Sequence, residues 1–311
     1  MNISEQARQL IKDQQNEWEL ARKNYAGLKK VKTRKLAFDG FDMVVQFNPE
    51  RIRSSAAKVD TKSIQARPCF LCQQNLPKEQ RGISVLDHYL ILVNPFPIFP
   101  EHLTIPHIDH TDQLIDGKFG DMLEMAKLLE DFTVFYNGPK CGASAPDHFH
   151  FQAGIKRFMP IERDYRNGSF FHYSKNVNGV EVIKWTDYIR TILTFSGRAI
   201  DQIGVLFKSL FDELKHYQPE EKEPMLNILT SYQGSRWTVH IFPRKLHRPW
   251  QYFEDGEKQI VLSPASVDVG GILITPRAED YMKLTTIDAQ DIFEQVCLED
   301  YVFNEMINKI F

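Results

Sequence analysis

The sequence predicts an α+β fold in which helices flank mainly antiparallel sheets. Two observations predict it: short apolar or alternating segments typical of strands recur along the chain, and segments with amphipathic helical periodicity separate them. The 311 residues suffice for one large domain or two ordinary ones. Both parts of the chain show the same mixture of elements, so we divide it into residues 1–155 and 156–311. One form of this organisation is a pair of structurally related halves.

The first half is predicted to begin with an amphipathic helix over residues 3–25. The short strands that follow contain β-branched or aromatic residues, and Asn48-Pro49 marks a turn between the first two. The remaining predicted elements are strands at 41–47, 51–57, 88–94, 101–106, 133–137 and 147–153, and a helix at 119–130.

The second half opens with residues 163–179, which lack periodicity and are predicted to form a surface loop. The rest resembles the first half in its alternation of strand and helix patterns. The predicted elements are helices near 199–216 and 287–309 and strands at 225–232, 236–243 and 269–276.

Charge and hydropathy exclude several classes of function. The formal net charge is −3, so no overall basic field points to nucleic acid, and the basic runs at 29–35 and 244–248 are typical of solvated faces. No apolar run is long enough to span a membrane, and the N-terminus has no apolar core of a signal peptide. We therefore expect a cytoplasmic protein that binds neither nucleic acid nor membrane.

Two histidines and a glutamine alternate with phenylalanines near the middle of the chain. In a strand, successive side chains point to opposite faces. Phe149 and Phe151 would then face a core, while His148, His150 and Gln152 line the other side. A half-buried strand with a histidine-rich polar face is the alternative interpretation.

The cysteines favour a metal site over a disulfide framework. Cys69 and Cys72 form a C-x-x-C in a loop, and thiolates combined with imidazoles suit tetrahedral zinc. The remaining ligands would be His148 and one of the three histidines His102, His107 and His110. A redox pair and two plain buried thiols are the alternatives, although no thioredoxin-type strand-to-helix pattern follows the motif.

One stretch resembles a known family. The residues "NPFPIFPEHLTIP…HTDQLI…VFYNGPKCGASAPDHFHFQ" resemble the histidine-triad superfamily, specifically the transferase branch with galactose-1-phosphate uridylyltransferase, diadenosine tetraphosphate phosphorylase and the GDP-hexose phosphorylases. The resemblance is continuous over about 94–152. It is weaker at 225–245 and 263–277, which look like the C-terminal segment of the phosphorylases.

The resemblance implies a histidine-triad-like fold and a set of functional residues. In this branch the second histidine of the motif attacks the α-phosphorus of a nucleotide, which makes His150 the nucleophile. Gln152 matches the glutamine that binds a non-bridging phosphate oxygen, whereas hydrolases of the superfamily carry a third histidine there. Asn137, Gly142 and Ser144 match positions that line the phosphate site.

The resemblance also implies a structural zinc ion. In the uridylyltransferases the ligands are the C-x-x-C, a histidine after the second strand and the first histidine of the motif. Here these are Cys69, Cys72, one of His107 and His110, and His148. We choose His110, because "HTDQL" resembles a helix entry common in the superfamily.

The predicted function is therefore that of a nucleotidyltransferase or phosphorylase. It would cleave a nucleoside diphosphosugar or dinucleoside polyphosphate through a nucleotidyl-histidine, with phosphate or a sugar phosphate as acceptor; the oligomeric state, a homodimer among others, stays open. A nucleotide hydrolase and a non-catalytic nucleotide-binding zinc protein are the alternatives. The sequence has one residue more between Ser144 and His148 than the uridylyltransferase pattern, a spacing that looks more like the GDP-hexose phosphorylases.

Basic residues outside the motif are further candidates for phosphate binding. The segment 242–249 follows a predicted strand and contains Arg244, Lys245, His247 and Arg248. It would bring positive charge to a triphosphate or to the acceptor phosphate, which stabilises a transferring phosphoryl group. A solvated basic turn is the alternative. Arg51 and Arg53 alternate on a predicted strand and are candidates for nucleotide contacts, against plain surface positions.

Overall fold

A ten-stranded antiparallel sheet is the framework of the molecule. The computed structural model describes residues 1–52, 61–171 and 173–311. The strands are β1 (Lys32–Ala37), β2 (Asp42–Phe47), β3 (Gly82–Val85), β4 (Tyr89–Val93), β5 (His102–Pro106), β6 (Phe132–Asn137), β7 (His150–Ile155), β8 (Tyr173–Val177), β9 (Val180–Lys184), β10 (Leu193–Gly197), β11 (Leu226–Gln233), β12 (Arg236–Pro243) and β13 (Ile272–Thr275).

Helices cover both faces of this sheet. They are α1 (Ile3–Glu17), α2 (Glu19–Leu28), α3 (Thr61–Gln65), α4 (Phe119–Leu128), α5 (Pro160–Asn167), α6 (Ile200–Tyr217), α7 (Ser266–Val269), α8 (Ala278–Lys283), α9 (Thr286–Val296) and α10 (Asp300–Ile310). The α+β class with flanking helices is thereby confirmed. Within the described ranges, none of these helices has the length and apolar composition needed to cross a bilayer.

The two halves of the sheet repeat one topology. The strand order is β3-β4-β5-β7-β6-β11-β12-β10-β9-β8. In the first half, β3, β4 and β5 are followed by α4 and then by β6 and β7, and β7 inserts between β5 and β6. In the second half, β8, β9 and β10 are followed by α6 and then by β11 and β12, and β12 inserts between β10 and β11. The halves join where β6 pairs with β11, with Asn137 opposite Asn227. The chain therefore consists of two related halves that share one continuous sheet.

Alternating side chains place a separate core on each face of the sheet. One core contains Phe149, Phe151 and Tyr136 and is covered by α1, α2, α4, α6 and α10. The other contains Phe99, Phe135 and Phe242 and is covered by α5, α7, α9 and a small sheet of β1, β2 and β13. His150 and Gln152, which alternate with Phe149 and Phe151 along β7, lie on this second face.

Several predicted elements differ from the structure. The N-terminal helix is interrupted at Trp18, whose extended backbone lets its side chain become buried, and residues 287–309 form two helices. The loop predicted over 163–179 contains the end of α5 and the edge strand β8, whose largely exposed side chains show no apolar alternation. The strand predicted at 51–57 is wrong at its start, because Pro49–Arg51 form a 3-10 turn and Ile52 has helical backbone angles. Residues 53–57 of this prediction, with Arg53, lie outside the described residues.

Candidate active site and metal centre

A cavity of about 640 Å³ lies on the second face of the sheet and is lined by both halves of the chain. His150 and Gln152 form part of its floor, since both project from β7 on the side opposite to Phe149 and Phe151. The alternating motif therefore separates core from cavity, as its period of two predicts. His148 precedes the strand and lies outside this lining.

The tautomer of His150 follows from its hydrogen bonds. Its Nδ1 atom lies 2.9 Å from the backbone oxygen of His148. A carbonyl oxygen only accepts, so Nδ1 carries the ring proton and Nε2 keeps its lone pair. Burial lowers the pKa of His150 to about 4, because an apolar environment disfavours the imidazolium. The ring is therefore neutral near pH 7, with one nitrogen available as a nucleophile.

Gln113 holds the backbone of His150 in place. The β6–β7 ladder ends at the pair Phe135 and Gln152, and beyond it the side chain of Gln113 bridges the diverging strands. Its amide accepts from the His150 N–H at 2.7 Å and donates to the carbonyls of His150 and Asn137 at 2.9 and 3.0 Å. This fully buried amide replaces the missing ladder bonds at His150.

His102 fixes the orientation of the Gln152 amide. The backbone N–H of Ile98 donates to His102 Nδ1 at 3.1 Å, and burial lowers the pKa of His102 to about 3. The neutral ring must therefore carry its proton on Nε2, which lies 3.2 Å from Gln152 Oε1. With its oxygen occupied, Gln152 presents its amino group as a donor, which is the orientation an anionic phosphate oxygen requires. His102 thus lies beside the motif and not in the metal cluster.

Asn137 and the loop that follows it form another wall of the cavity. The backbone N–H of Ser266 and the side-chain amide of Asn227 both donate to Asn137 Oδ1, at 2.8 and 3.0 Å. This leaves Asn137 Nδ2 as a donor. Gly142 has φ +95°, and a Cβ there would lie 2.4 Å from that of Ala265, so only glycine allows this close approach. Ser144 lies in the same stretch of the lining.

The cavity carries an excess of positive charge. Among the described lining residues, Arg51, Arg67 and Arg248 stand against one carboxylate, Asp268. That carboxylate accepts the backbone N–H groups of Ala265 and Ile274. Burial lowers the pKa of Arg51 to about 10, a value that still leaves the guanidinium charged near neutral pH. The lining is therefore suited to a polyanionic ligand.

Arg244 and Lys245 lie away from the cavity lining. Arg244 is fully buried. Its five N–H groups donate to the side chain of Asn227 and to the backbone carbonyls of Val296, Pro264, Leu246 and His247. Lys245 forms an ion pair with Glu299 at 2.7 Å. Substrate contact by these two residues stays a prediction, and the contacts that they make here connect parts of the protein to one another. His247 and Arg248, farther along the same segment, do line the cavity.

The four predicted metal ligands form one cluster. The ligand atoms of Cys69, Cys72, His110 and His148 all lie within 4.8 Å of one another. Cys69 Sγ lies 3.3 Å from His148 Nδ1, and Cys72 Sγ lies 3.2 Å from His110 Nδ1. Ligands of a tetrahedral zinc ion are about 3.5 Å apart for such a sulfur–nitrogen pair. The donor set and its spacing therefore fit zinc.

His107 has a different part in the cluster. Its ring accepts the backbone N–H of Asp109 at 3.0 Å, while its backbone oxygen lies 2.8 Å from His148 Nε2. The proton of His148 is thereby placed on Nε2, which leaves Nδ1 free to face the two thiols. Between the two histidines that the sequence left open, the cluster contains His110.

A buried carboxylate supports Gln113 from behind. Glu223 Oε1 accepts a hydrogen bond from the hydroxyl of Tyr136 at 2.6 Å, and the same hydroxyl lies 3.0 Å from the backbone carbonyl oxygen of Gln113. Glu223 also accepts the backbone N–H of Ile115. Burial raises the pKa of Glu223 from 4.5 to about 7, since few charges offset its desolvation.

This shift predicts a pH-dependent stability. The folded state holds the Glu223 proton more tightly than the unfolded state, so this group lowers the free energy of unfolding as pH rises from 4.5 to about 7. We expect the difference in unfolding free energy between the wild type and Glu223→Gln to fall by on the order of 3 kcal/mol across that window. Urea unfolding at a series of pH values measures it, and parallel curves for the two proteins would contradict the assignment.

The sequence did not reveal the residues that orient the motif. The sequence presents His102 only as a possible metal ligand and Gln113 only as part of the "HTDQL" resemblance. Both residues are identified by their position in the fold. His102 lies on β5, which pairs with β7, and Gln113 forms a hydrogen bond with the backbone at the start of β7. Such neighbours become visible once strand pairing is known.

Two family models match the chain in sequence. Residues 10–155 match the model of a domain of unknown function, DUF4922, and residues 163–311 match the GDPGP1-like C-terminal domain. No curated protein matches the chain in sequence. The two family matches together span nearly the whole chain.

Solved structures with the same fold include yeast Ap4A phosphorylase Apa2. One crystal structure aligns with a TM-score of 0.57 at 17% identity, covering 91% of this chain and 94% of that chain. Its complex with AMP gives 0.59 at 17% identity over 90% and 96%. Its complex with Ap4A gives 0.58 at 18% identity over 91% and 97%. The chain thus has the histidine-triad-like fold of these phosphorylase structures, and its second half is similar to the GDPGP1-like C-terminal domain.

Proposed function

We propose that the protein is a nucleotidyltransferase of the phosphorylase type that works through a covalent nucleotidyl-histidine on His150. The observation that carries this proposal is the position of His150 in the cavity lining, with Nδ1 2.9 Å from the backbone carbonyl of His148, which leaves the Nε2 lone pair available. A nucleophile of this kind splits one difficult displacement into two easier ones.

The first step forms a phosphorus–nitrogen bond. Nε2 of His150 attacks the α-phosphorus of a nucleoside diphosphosugar or a dinucleoside polyphosphate. The bond to the bridging oxygen breaks, and a sugar phosphate or nucleotide leaves with the electron pair. Since a phosphate leaving group departs as a stable anion, this step needs no strong general acid. Gln152 Nε2 and Asn137 Nδ2 would hold the non-bridging oxygens as negative charge develops.

The second step returns His150 to its starting state. An oxygen of inorganic phosphate or of a sugar phosphate attacks the same phosphorus, and the phosphorus–nitrogen bond breaks. The excess of arginine along the cavity supports an anionic acceptor over water. The nucleotide complexes of Ap4A phosphorylase, a protein of the same fold, support a nucleotide substrate here.

We also propose that Cys69, Cys72, His110 and His148 hold a structural zinc ion. The ion would join the loop at 69–72 to His148, two positions before the proposed nucleophile. With four protein ligands, it would have no coordination position left for substrate. Its contribution is to folding and to the placement of β7, while the displacement itself is carried by His150.

The function is tested by the acceptor dependence of turnover. We expect a panel of nucleoside diphosphosugars and dinucleoside polyphosphates to be consumed with phosphate or a sugar phosphate present, with ping-pong kinetics. Without acceptor, each protein chain should release at most about one leaving group and then stop. Mass analysis of the products with and without phosphate measures this. Continued release of free nucleoside monophosphate in phosphate-free buffer would instead identify a hydrolase.

A further inference from the structure

Arg67 connects the metal loop to the cavity. It precedes the first cysteine of the cluster by two residues, and its side chain lines the cavity that contains His150. Its Nη2 donates to Asp147 Oδ1 at 3.2 Å and to the carbonyl of Ser144 at 3.4 Å. The guanidinium also lies 4.9 Å from the ring centroid of Phe70. The guanidinium is thus fixed by two hydrogen bonds from Nη2 and by one contact with an aromatic ring.

The second terminal nitrogen of the guanidinium, Nη1, has no hydrogen-bond partner among the described residues. This nitrogen is also buried. A buried N–H group without an acceptor is destabilising by about 1–3 kcal/mol, and more for a charged group. A fixed guanidinium with an unsatisfied nitrogen is prepared for an acceptor that the protein itself does not supply. The cavity that Arg67 lines is the place from which a ligand can supply it.

The surroundings favour phosphate as this acceptor. Arginine binds phosphate through its planar donors with defined geometry. Ser144, whose carbonyl anchors Arg67, lies in the loop at 142–144 that also lines the cavity. The lining has further positive charge at Arg51 and Arg248. This positive charge favours a ligand with two or more linked phosphates over a single phosphate.

We propose that Arg67 forms a second anion subsite and thereby determines specificity for substrates with two or more linked phosphates. His150 and Gln152 address the α-phosphate, and Arg67 binds the adjacent phosphate, which leaves with the first product and whose place the acceptor phosphate then takes. The inference rests on the proposed function only for assigning the α-phosphate to His150. Arg67 touches substrate without taking part in bond formation.

Binding of pyrophosphate tests the subsite without turnover. Calorimetric titration with pyrophosphate is expected to show saturable binding to the wild type, and affinity at least about tenfold lower in Arg67→Met, because a charge-assisted contact to phosphate is lost. Zinc content is measured in each variant, since Arg67 adjoins Cys69. Arg67→Gln provides a second variant if the methionine variant does not fold.

Asp147→Asn is the matched control for a purely structural role. It removes the ion pair with Arg67 but keeps the guanidinium and its anchor at Ser144, so pyrophosphate affinity should stay within about threefold of wild type. Equal affinity in wild type and the Arg67 variant, equal losses in the Arg67 and Asp147 variants, or no pyrophosphate binding by the wild type would each overturn the inference. Failure of the proposed function is separate, because it appears as absent nucleotidyl labelling of His150 in the wild type.

Discussion

His150→Ala is expected to abolish covalent labelling by a nucleotide substrate that carries radioactivity in its α-phosphate. Turnover should fall by about four orders of magnitude or more, as it does when an enzyme loses its nucleophile. The ring of His150 belongs to the cavity and not to the metal cluster, so the variant should keep its zinc and its thermal midpoint. Acid-labile radioactivity on the denatured protein measures the intermediate.

His148→Ala is the matched contrast, since it lies two residues away and presents the same side chain. Its Nδ1 faces the thiols at 3.3 and 3.6 Å, so its removal should cause loss of zinc and stability, with activity falling as β7 becomes misplaced. If His150→Ala still accepts label, or if His148→Ala alone prevents labelling while keeping full zinc, the assignment of nucleophile and ligand must be reversed.

Cys72→Ala is expected to contain far less than one zinc per chain and to melt at least about 5 °C lower than wild type, because metal binding contributes directly to folding. Metal analysis and thermal denaturation measure the two effects. EDTA should lower the midpoint of the wild type and leave that of the variant almost unchanged.

Cys297→Ala deletes the same sulfur atom at another buried position and serves as the control. Cys297 is 3% exposed and lies outside the cluster, so its replacement should cost packing energy but no zinc. Full zinc occupancy in Cys72→Ala, or equal zinc loss in both variants, would exclude the proposed ligand set.

Local patterns predicted the parts of the molecule that depend on neighbours in sequence. The alternation of histidine and phenylalanine gave the two faces of β7, because a strand sorts its side chains whatever lies around it. The C-x-x-C motif and the resemblance to the histidine-triad superfamily likewise predicted the four members of the metal cluster. The helix periods located α4 and α6 to within two residues of their observed ends.

Features that depend on distant contacts could not be predicted in this way. The exposed edge strand β8 has no apolar alternation, and β10 is buried throughout, so neither shows a period of two. The orientation of Gln152 depends on His102, which is fifty residues away in sequence. Arg244 and Lys245 belong to a basic run that predicted phosphate binding. Arg244, however, donates hydrogen bonds to five acceptors within the protein. Composition alone cannot distinguish a charge that awaits a ligand from one already satisfied.

The paired topology of the sheet has a consequence for how such a protein can evolve. The first half contributes His150, the proposed nucleophile, and the residues that orient it, while the second half contributes walls such as His247, Arg248 and Ala265. A mutation in those walls would alter which molecule fits without changing the proposed nucleophile. An ancestral doubling of one unit would therefore have freed one copy to drift toward new substrates while the other kept its chemistry.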